Sequence, residues 1–318
     1  MQMSIRRWIA ALITASAALL SACGGSDDHG PLDIVSLAKS NSNLSILAEA
    51  IQAADLEKTL RAAGPFTVFA PTNQAFENLL QNELKVSKTE LLANKTLLTS
   101  VLTYHVLGTK VMSGDVPLGQ PITTLQKGFF KAEAAGGSLK ITDGRNRSSN
   151  VVTANVAAQN GVVHIIDKVL LPADKNVVQT AIALSTAPQP EFGILVDAVV
   201  AAGLVETLSG TGPFTVFAPT DAAFVALLEE LKISKEALLA DKSLLTKVLT
   251  YHVVPGLVLK AQVPVGRAIT TVQGESFTVN AALAITDQRA RSAKITGTDV
   301  LASNGVIHVI DKVILPKP

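Results

Sequence analysis

Histidine and tyrosine are the residues of this sequence whose types could support chemistry. Five histidines occur in 318 residues, and two of them follow the chain's only tyrosines, in the pairs Tyr104-His105 and Tyr251-His252. A histidine can serve as a general base or as a zinc ligand. Catalysis by a nucleophile also needs the nucleophile and an orienting group, and the sequence has no GxSxG or HExxH motif. No HxH or CxxC spacing offers close zinc ligands. We therefore expect a protein that is not an enzyme and holds neither metal nor cofactor.

The chain's only cysteine, Cys23, lies at the end of an N-terminal targeting segment. The order is a basic start with Arg6 and Arg7, the apolar run IAALITASAALL, and then LSAC. One interpretation is a buried core thiol. LSAC, however, resembles the bacterial lipobox, which implies cleavage before Cys23 and acylation of that residue. Since Gly24 follows, the resemblance favours the outer membrane. We expect a lipoprotein signal peptide over residues 1–22, an acylated tether over 23–31, and a lipid-anchored protein on the periplasmic or extracellular face of the cell envelope.

Composition separates the function classes further. Hydrophobic residues make up 48% and charged residues 17%, which is enough apolar material for two domain cores and excludes a disordered chain. The formal net charge is +1, with no basic block after the first few residues. Nucleic-acid binding would require clustered Lys and Arg, so we expect no nucleic-acid partner.

The elements that position the tyrosines and histidines occur twice. The nonapeptide GPFTVFAPT stands at residues 64–72 and again at 212–220, and NGVVHIIDKVLLP at 160–172 corresponds to NGVIHVIDKVILP at 304–316. The order of these blocks is kept, which indicates tandem duplication of a domain of about 140 residues. A three-residue difference between Thr124 and Ile141 suggests a longer hairpin loop in the first copy.

Each copy reads as helices followed by strands. FTVFA is a short buried strand, and Thr72 and Thr220 offer N-cap oxygens to the helices that follow. Ser87 and Glu90 form a capping box for a later helix. The next helix is amphipathic, with Leu98, Val101, Leu102 and His105 on one face. From there the pattern turns to strands, and Asn-Gly between two apolar runs predicts a hairpin near the end of each copy. Phe69 and Phe217 are predicted core residues.

These blocks together resemble the fasciclin (FAS1) domain: TVFAPT before a capped helix, a helix ending in LTYHV, and the NGVVHIID block, in order and in both copies. The resemblance covers nearly the whole chain after about Leu32. It implies an α+β fold with two tandem domains, 32–172 and 173–318, each a twisted β-sandwich with helices packed along one edge. It also implies a non-catalytic module for adhesion to a protein or glycan on cell surfaces or extracellular matrix. About four residues, 173–176, would join the domains and fix their relative orientation.

The resemblance names candidate partner-binding residues, each with an alternative. The Tyr-His pair has been proposed in the family for receptor contact, here Tyr104, His105, Tyr251 and His252. The alternative is that each histidine caps its helix and each tyrosine packs in the core. His164 and His308 lie inside strands and are expected to be partly buried and hydrogen-bonded.

The pair Asp299-Val300 resembles the Asp-Ile pair of fasciclin domains that engage integrins, and Asn155-Val156 is aligned with it in the first copy. A receptor's metal ion needs an acidic ligand, so only the second copy could bind in this way. Its alternative is a solvated aspartate at a strand end, and both readings expect Asp299 to be exposed. A different function also stays open, a periplasmic carrier that holds a small molecule or lipid in an apolar groove between helices and sheet.

Overall fold

The computed structural model describes residues 31–189 and 191–318, and each copy of the repeat builds its own sheet and helices. In the first copy the helices are Ile34–Ser40 (α1), Ser45–Ala53 (α2), Glu57–Leu60 (α3), Asn73–Asn78 (α4), Lys88–Ala93 (α5) and Lys95–Tyr104 (α6). Its strands are Phe66–Pro71 (β1), Val106–Leu107 (β2), Pro121–Thr123 (β3), Phe129–Ala135 (β4), Ser138–Thr142 (β5), Ser148–Ala158 (β6) and Gly161–Ile166 (β7). A π-helical segment, Leu79–Leu84, continues α4.

The second copy repeats this order. Its helices are Val177–Ser185 (α7), Gly193–Ala201 (α8), Val205–Ser209 (α9), Asp221–Leu231 (α10), Lys235–Ala240 (α11) and Lys242–Tyr251 (α12). Its strands are Phe214–Pro219 (β8), Val253–Pro255 (β9), Ala268–Thr270 (β10), Ser276–Val279 (β11), Ala284–Thr286 (β12), Ser292–Ala302 (β13) and Gly305–Ile310 (β14).

The two sheets have the same topology. Each has seven strands, in the order β2-β1-β7-β6-β5-β4-β3 in the first copy and β9-β8-β14-β13-β12-β11-β10 in the second. β1 pairs with β7 in parallel, and β8 with β14; the neighbouring pairs are antiparallel. Irregular register along β6 and β13 lets each long strand pair with β5 or β12 at one end and with β7 or β14 at the other. The predicted α+β class, with a sheet sandwich and helices in each of two tandem domains, is confirmed.

The repeated strand is buried on both faces, which accounts for its continuous apolar sequence. Side chains alternate between the two faces of a strand. Val68 and Ala70 therefore pack against the helices, whereas Phe69 faces the other way and packs in the core formed by the strands. Phe69 is 1% exposed, and so is its counterpart Phe217. Both predicted core phenylalanines are therefore confirmed.

The predicted Asn-Gly hairpins are present, and each also contacts the neighbouring parallel strand and the helices of its domain. Gly161 faces β1 so closely that a Cβ atom there would lie 2.1 Å from the carbonyl oxygen of Phe66, so only glycine fits. Asn160 accepts a hydrogen bond from the backbone N–H of Ile34 and donates to the carbonyls of Leu60 and Ala62. Asn304 and Gly305 repeat these contacts in the second copy.

The helix-capping predictions are confirmed. Thr72 and Thr220 accept hydrogen bonds from the third residue of α4 and α10. Ser87 and Glu90 form the predicted capping box, and Ser234 caps α11 without a glutamate partner.

Two predictions about connections are wrong. The extra residues of the first copy lie in longer strands rather than in a longer loop, since β4 has 7 residues where β11 has 4. The segment between the last strand of the first copy and the first helix of the second spans 167–176 rather than four residues, because β7 ends at Ile166 and α7 begins at Val177. Beyond it the backbone N–H groups of Leu170 and Leu171 donate to side chains, of His105 and Asp143, instead of to a neighbouring strand.

Candidate functional site

The Tyr-His pairs lie at the ends of α6 and α12 and point into the protein. Tyr104 is 0% exposed and donates a hydrogen bond of 2.6 Å from its hydroxyl to the carbonyl of Phe129. Tyr251 makes the matching bond of 3.0 Å to the carbonyl of Ser276. Burial raises the pKa of both tyrosines, so the phenols stay neutral and act as donors. In this arrangement both tyrosines are packing residues.

The two histidines of these pairs cap their helices from inside the core. Nδ1 of His105 donates to the carbonyl of Val101 at 2.7 Å, and Nε2 accepts from the N–H of Leu170 at 2.8 Å. His252 makes the equivalent bonds to Val248 and Ile314. An imidazole with one donating and one accepting nitrogen is neutral. Burial lowers the pKa of each histidine to about 4, so the protonated form is disfavoured near neutral pH.

This burial predicts that stability depends on pH. Unfolding returns His105 and His252 toward an ordinary pKa of 6.5, above the folded value of about 4. The unfolded chain then binds protons that the folded chain does not, so stability falls as pH falls from about 6.5 to about 4. Each histidine contributes at most about 1.4 kcal/mol per pH unit.

Denaturant unfolding measured across this range checks the dependence. The matched control is the double variant His105→Gln, His252→Gln, which removes both titrating rings and should give a shallower slope of stability against pH. An unchanged slope in the double variant would show that other groups cause the acid sensitivity.

His164 and His308 hold a β-bulge in each copy. Nε2 of His164 donates to the carbonyl of Val111, and Nδ1 accepts from the N–H of Asn155. His308 bonds in the same way to Val258 and to the N–H of Asp299. The predicted hydrogen bonding of both histidines is present, and both are fully rather than partly buried, with 0% exposure. Burial lowers the pKa of both rings.

Asn155 and Asp299 occupy the bulges in the left-handed backbone region, with φ of 62° and 61°. Asn and Asp tolerate this conformation better than most residues. Each side chain also accepts a hydrogen bond from the first backbone N–H of a short 3-10 turn, that of Ser113 or Lys260. The presence of Asn or Asp at this place therefore follows from the fold in both copies.

The expectation that Asp299 is exposed is wrong. It is 6% exposed, and its second carboxylate oxygen lies 3.0 Å from Nζ of Lys131, a residue of the first copy. Lys131 also bonds to Glu133. Although burial alone would lower the pKa of Lys131, the hydrogen bonds and charges of the two carboxylates raise it. Val300 is half-buried against the helix core of the second copy. The carboxylate that distinguishes Asp299 from Asn155 is thus used in an ion pair between the domains.

The ion pair belongs to a larger contact between β4 and the β5–β6 turn of the first domain and β13 of the second. We call it the interdomain contact. Asn146 exchanges two hydrogen bonds with the backbone of Leu301, at 2.6 and 3.0 Å. Phe129 packs on a cluster that contains Leu259 and Leu301. Residues 31–318 accordingly form one compact unit.

A comparison of the two copies position by position could have predicted this contact, whereas the individual motifs do not indicate it. Aligned positions of the two copies differ wherever the contact is made. On one side Phe129, Lys131 and Asn146 correspond to Ser276, Thr278 and Ala290. On the other side Leu259, Asp299 and Leu301 correspond to Met112, Asn155 and Ala157. The members of the contact are large apolar, charged or amide side chains, while their counterparts are smaller, uncharged or exposed.

Other expected sites lie partly outside the described residues. Cys23, His29, the signal peptide and most of the tether fall in residues 1–30, which are not described. Within residues 31–189 and 191–318, no three His, Asp or Glu side chains are grouped closely enough to hold a metal ion. No helix in these ranges is both long and apolar enough to cross a membrane.

The comparisons with known proteins agree with one another on the family. The family model of the fasciclin domain matches residues 42–172 and 190–316. The transforming growth factor-beta-induced protein ig-h3 of Sus scrofa is 29% identical over 82% of this chain and 36% of its own length, and human periostin is 26% identical over 83% and 30%. Protein sll1483 of Synechocystis is 50% identical over 39% of this chain and 67% of its own length.

The chain thus spans about a third of the two larger relatives, ig-h3 and periostin. A solved FAS1 domain pair from the insect cell adhesion molecule Fasciclin I covers 87% of this chain and is itself covered to 98%, at 20% identity and a TM-score of 0.41. Since the fasciclin-domain model matches both halves, the chain belongs to the fasciclin domain family.

Proposed function

We propose that this chain is a non-catalytic adhesion module, anchored in the cell envelope through an acylated Cys23, that binds a protein or glycan of a cell surface or matrix. The observation that carries the proposal is the presence of two fasciclin domains in tandem. The chemistry of the described histidines supports it. His105, His164, His252 and His308 each use both ring nitrogens in hydrogen bonds to the backbone, so none offers a free nitrogen to a substrate.

In the closed structure a partner cannot reach most of the candidate contact residues, which are Asp299, Val300 and the two Tyr-His pairs. The tyrosine and histidine rings are buried at helix ends, and Asp299 is covered by Lys131. Partner contact through Asp299 therefore requires the interdomain contact to open. The exposed surface of the closed form is the simpler adhesive face.

Attachment of cells that carry the full chain tests the proposal. Cells with the chain should attach to matrix-coated or cell-coated surfaces better than cells that lack it. Asp299→Asn removes the charge but keeps a residue that suits the bulge, as in the first copy. If a receptor's metal binds this carboxylate, both Asp299→Asn and chelation of divalent cations will lower attachment. Attachment that changes with neither excludes the carboxylate route, and attachment equal to that of cells without the chain overturns the proposal.

The anchoring part has its own test. Cys23→Ser should leave the protein without lipid and with its signal peptide uncleaved, because both steps of the lipoprotein pathway act at this cysteine. Mass spectrometry of membrane and soluble fractions measures both changes. A wild-type protein of mature mass without lipid would contradict the proposed anchor.

A further inference from the structure

The helices of the second domain leave a cavity that lies apart from the interdomain contact. It has a volume of about 130 Å³ and lies between α7, α8, α9 and the strands β8 and β14. Its lining is apolar except for His252, whose ring nitrogens are both bonded to the backbone. A water molecule needs two to four polar partners, so a cavity of this kind stays dry.

Three exposed aliphatic side chains form the rim of the cavity. Val200 is 60% exposed, Ile182 43% and Val205 36%. Such residues are common singly, but here they are grouped around one opening.

The first domain carries different side chains at the positions that form this rim, as an alignment of its helices with those of the second domain shows. The backbone N–H groups of Ile34 and Val177 donate to equivalent asparagines, which aligns α1 with α7. The bonds from Leu56 to Ile51 and from Leu204 to Val199 align α2 with α8.

In this alignment Lys39, Gln52 and Glu57 stand where the second domain has Ile182, Val200 and Val205. Lys39 and Glu57 form an ion pair between α1 and α3 in the first domain. The second domain has thus replaced an ion pair and an amide by three aliphatic residues.

The floor of the cavity has changed as well, and the changes differ in sign: Val196 and Ile307 are larger than their counterparts Ala48 and Val163, whereas two other residues are smaller. Ile34 and Ile51 of the first domain are 2% and 1% exposed, and they correspond to Val177 and Val199, which line the cavity. Each replacement removes one methyl group from the core, and lost methyl groups leave space where the surroundings do not collapse. The connection between the first two helices is also longer in the second copy, 186–192 against 41–44.

We propose that this cavity binds the alkyl chain of an amphiphile, with the polar end leaving across the rim of Ile182, Val200 and Val205. The dry apolar lining selects hydrocarbon. The volume is close to the ~150 Å³ of an apolar cavity that accepts benzene, so it admits a ring or a short alkyl segment. A partner helix would need several anchor pockets in a row rather than one cavity. This proposal does not depend on the adhesive function.

Titration of the full chain with hexan-1-ol, octan-1-ol and decan-1-ol, followed by calorimetry, tests the site. Affinity should rise about fourfold per added methylene while the cavity fills, since each buried methylene contributes a constant increment, and then level off. The undescribed N-terminal segment is the same in every variant, so differences between variants report on the cavity alone.

Two variants of the second domain should remove the site. Val177→Ile with Val199→Ile restores the methyl groups of the first domain and should weaken alcohol binding at least about tenfold, because the two added methyl groups take up space that the alkyl chain needs. Ile182→Lys with Val205→Glu places the ion pair of the first domain over the rim and should weaken alcohol binding by a similar factor. The matched control, Lys39→Ile with Glu57→Val in the first domain, should leave the affinity of the second domain unchanged.

Thermal melting shows whether each variant is folded. The valine-to-isoleucine variant fills an existing space, so it should melt no lower than the wild type. Absence of saturable binding by the wild type, or wild-type affinity in the folded valine-to-isoleucine variant, would overturn the proposal.

Discussion

Replacement of Phe69 by alanine is expected to destabilise the first domain by about 3–5 kcal/mol, the usual cost of truncating a buried phenylalanine. The ring of Phe69 lies 5.2 Å from that of Phe130 in an edge-to-face arrangement, and Tyr104 packs on the other side of Phe130. The variant therefore removes one ring of an aromatic cluster in the core enclosed by the strands. Such a loss is a large share of the ~5–15 kcal/mol that stabilises a typical domain.

Denaturant or thermal unfolding, with probes in each domain, measures this loss. Phe217→Ala is the matched variant, since Phe217 packs on Phe277 at 5.0 Å in the same way. Each variant should lower the transition of its own domain more than that of the other. Val152→Ala in the first domain is the surface control, because Val152 is 56% exposed and should change stability by less than about 0.5 kcal/mol. A Phe69→Ala melting curve that matches the wild type would contradict the buried placement.

Asp299→Ala is expected to destabilise the chain by about 3 kcal/mol, far beyond the effect of an exposed aspartate. Removing one partner of a buried ion pair leaves the other charge poorly compensated, and here Lys131 would keep only Glu133. The variant also loses the hydrogen bond from the N–H of Lys260 and places alanine at a positive φ. The loss should appear as a weaker coupling between the two domains.

A double-mutant cycle with Lys131→Met separates the ion pair from the other losses. We expect a coupling energy of about 0.5–3 kcal/mol, because the two residues are in direct contact. Asn155→Ala is the control in the first domain, where the side chain is exposed and bonds only to Ser113. It should cost less than Asp299→Ala. Additive effects of Asp299→Ala and Lys131→Met would show that the ion pair does not couple the domains.

The elements of each domain could be predicted from the sequence because their signals are local. The strand FTVFA, the caps at Thr72 and Ser87 and the Asn-Gly turns depend on neighbouring residues, and the structure has all of them. The ends of β7 and β14 were harder to predict. DKVLLP is as apolar as a strand, but its N–H groups bond to side chains that are distant in sequence, such as Asp143.

The environment of Asp299 could not be predicted from its neighbours. The residues next to Asp299 predict a hairpin turn, where an aspartate is usually exposed. Its partner Lys131 is 168 residues away in the sequence. The rim of the apolar cavity presents the same difficulty. Ile182 and Val205 belong to different helices, and only their alignment with the ion-paired Lys39 and Glu57 shows that they act together.

The interdomain contact has a consequence for assembly. It is heterologous: a β4 surface of one domain meets a β13 surface of the next, so identical copies could in principle add head to tail without closing. In this chain the surface left over at each end has lost the groups that make the contact. Exposed Asn155 stands in place of Asp299 at one end, and exposed Thr278 in place of Lys131 at the other. A further copy placed at either end would therefore not form the ion pair that joins these two domains.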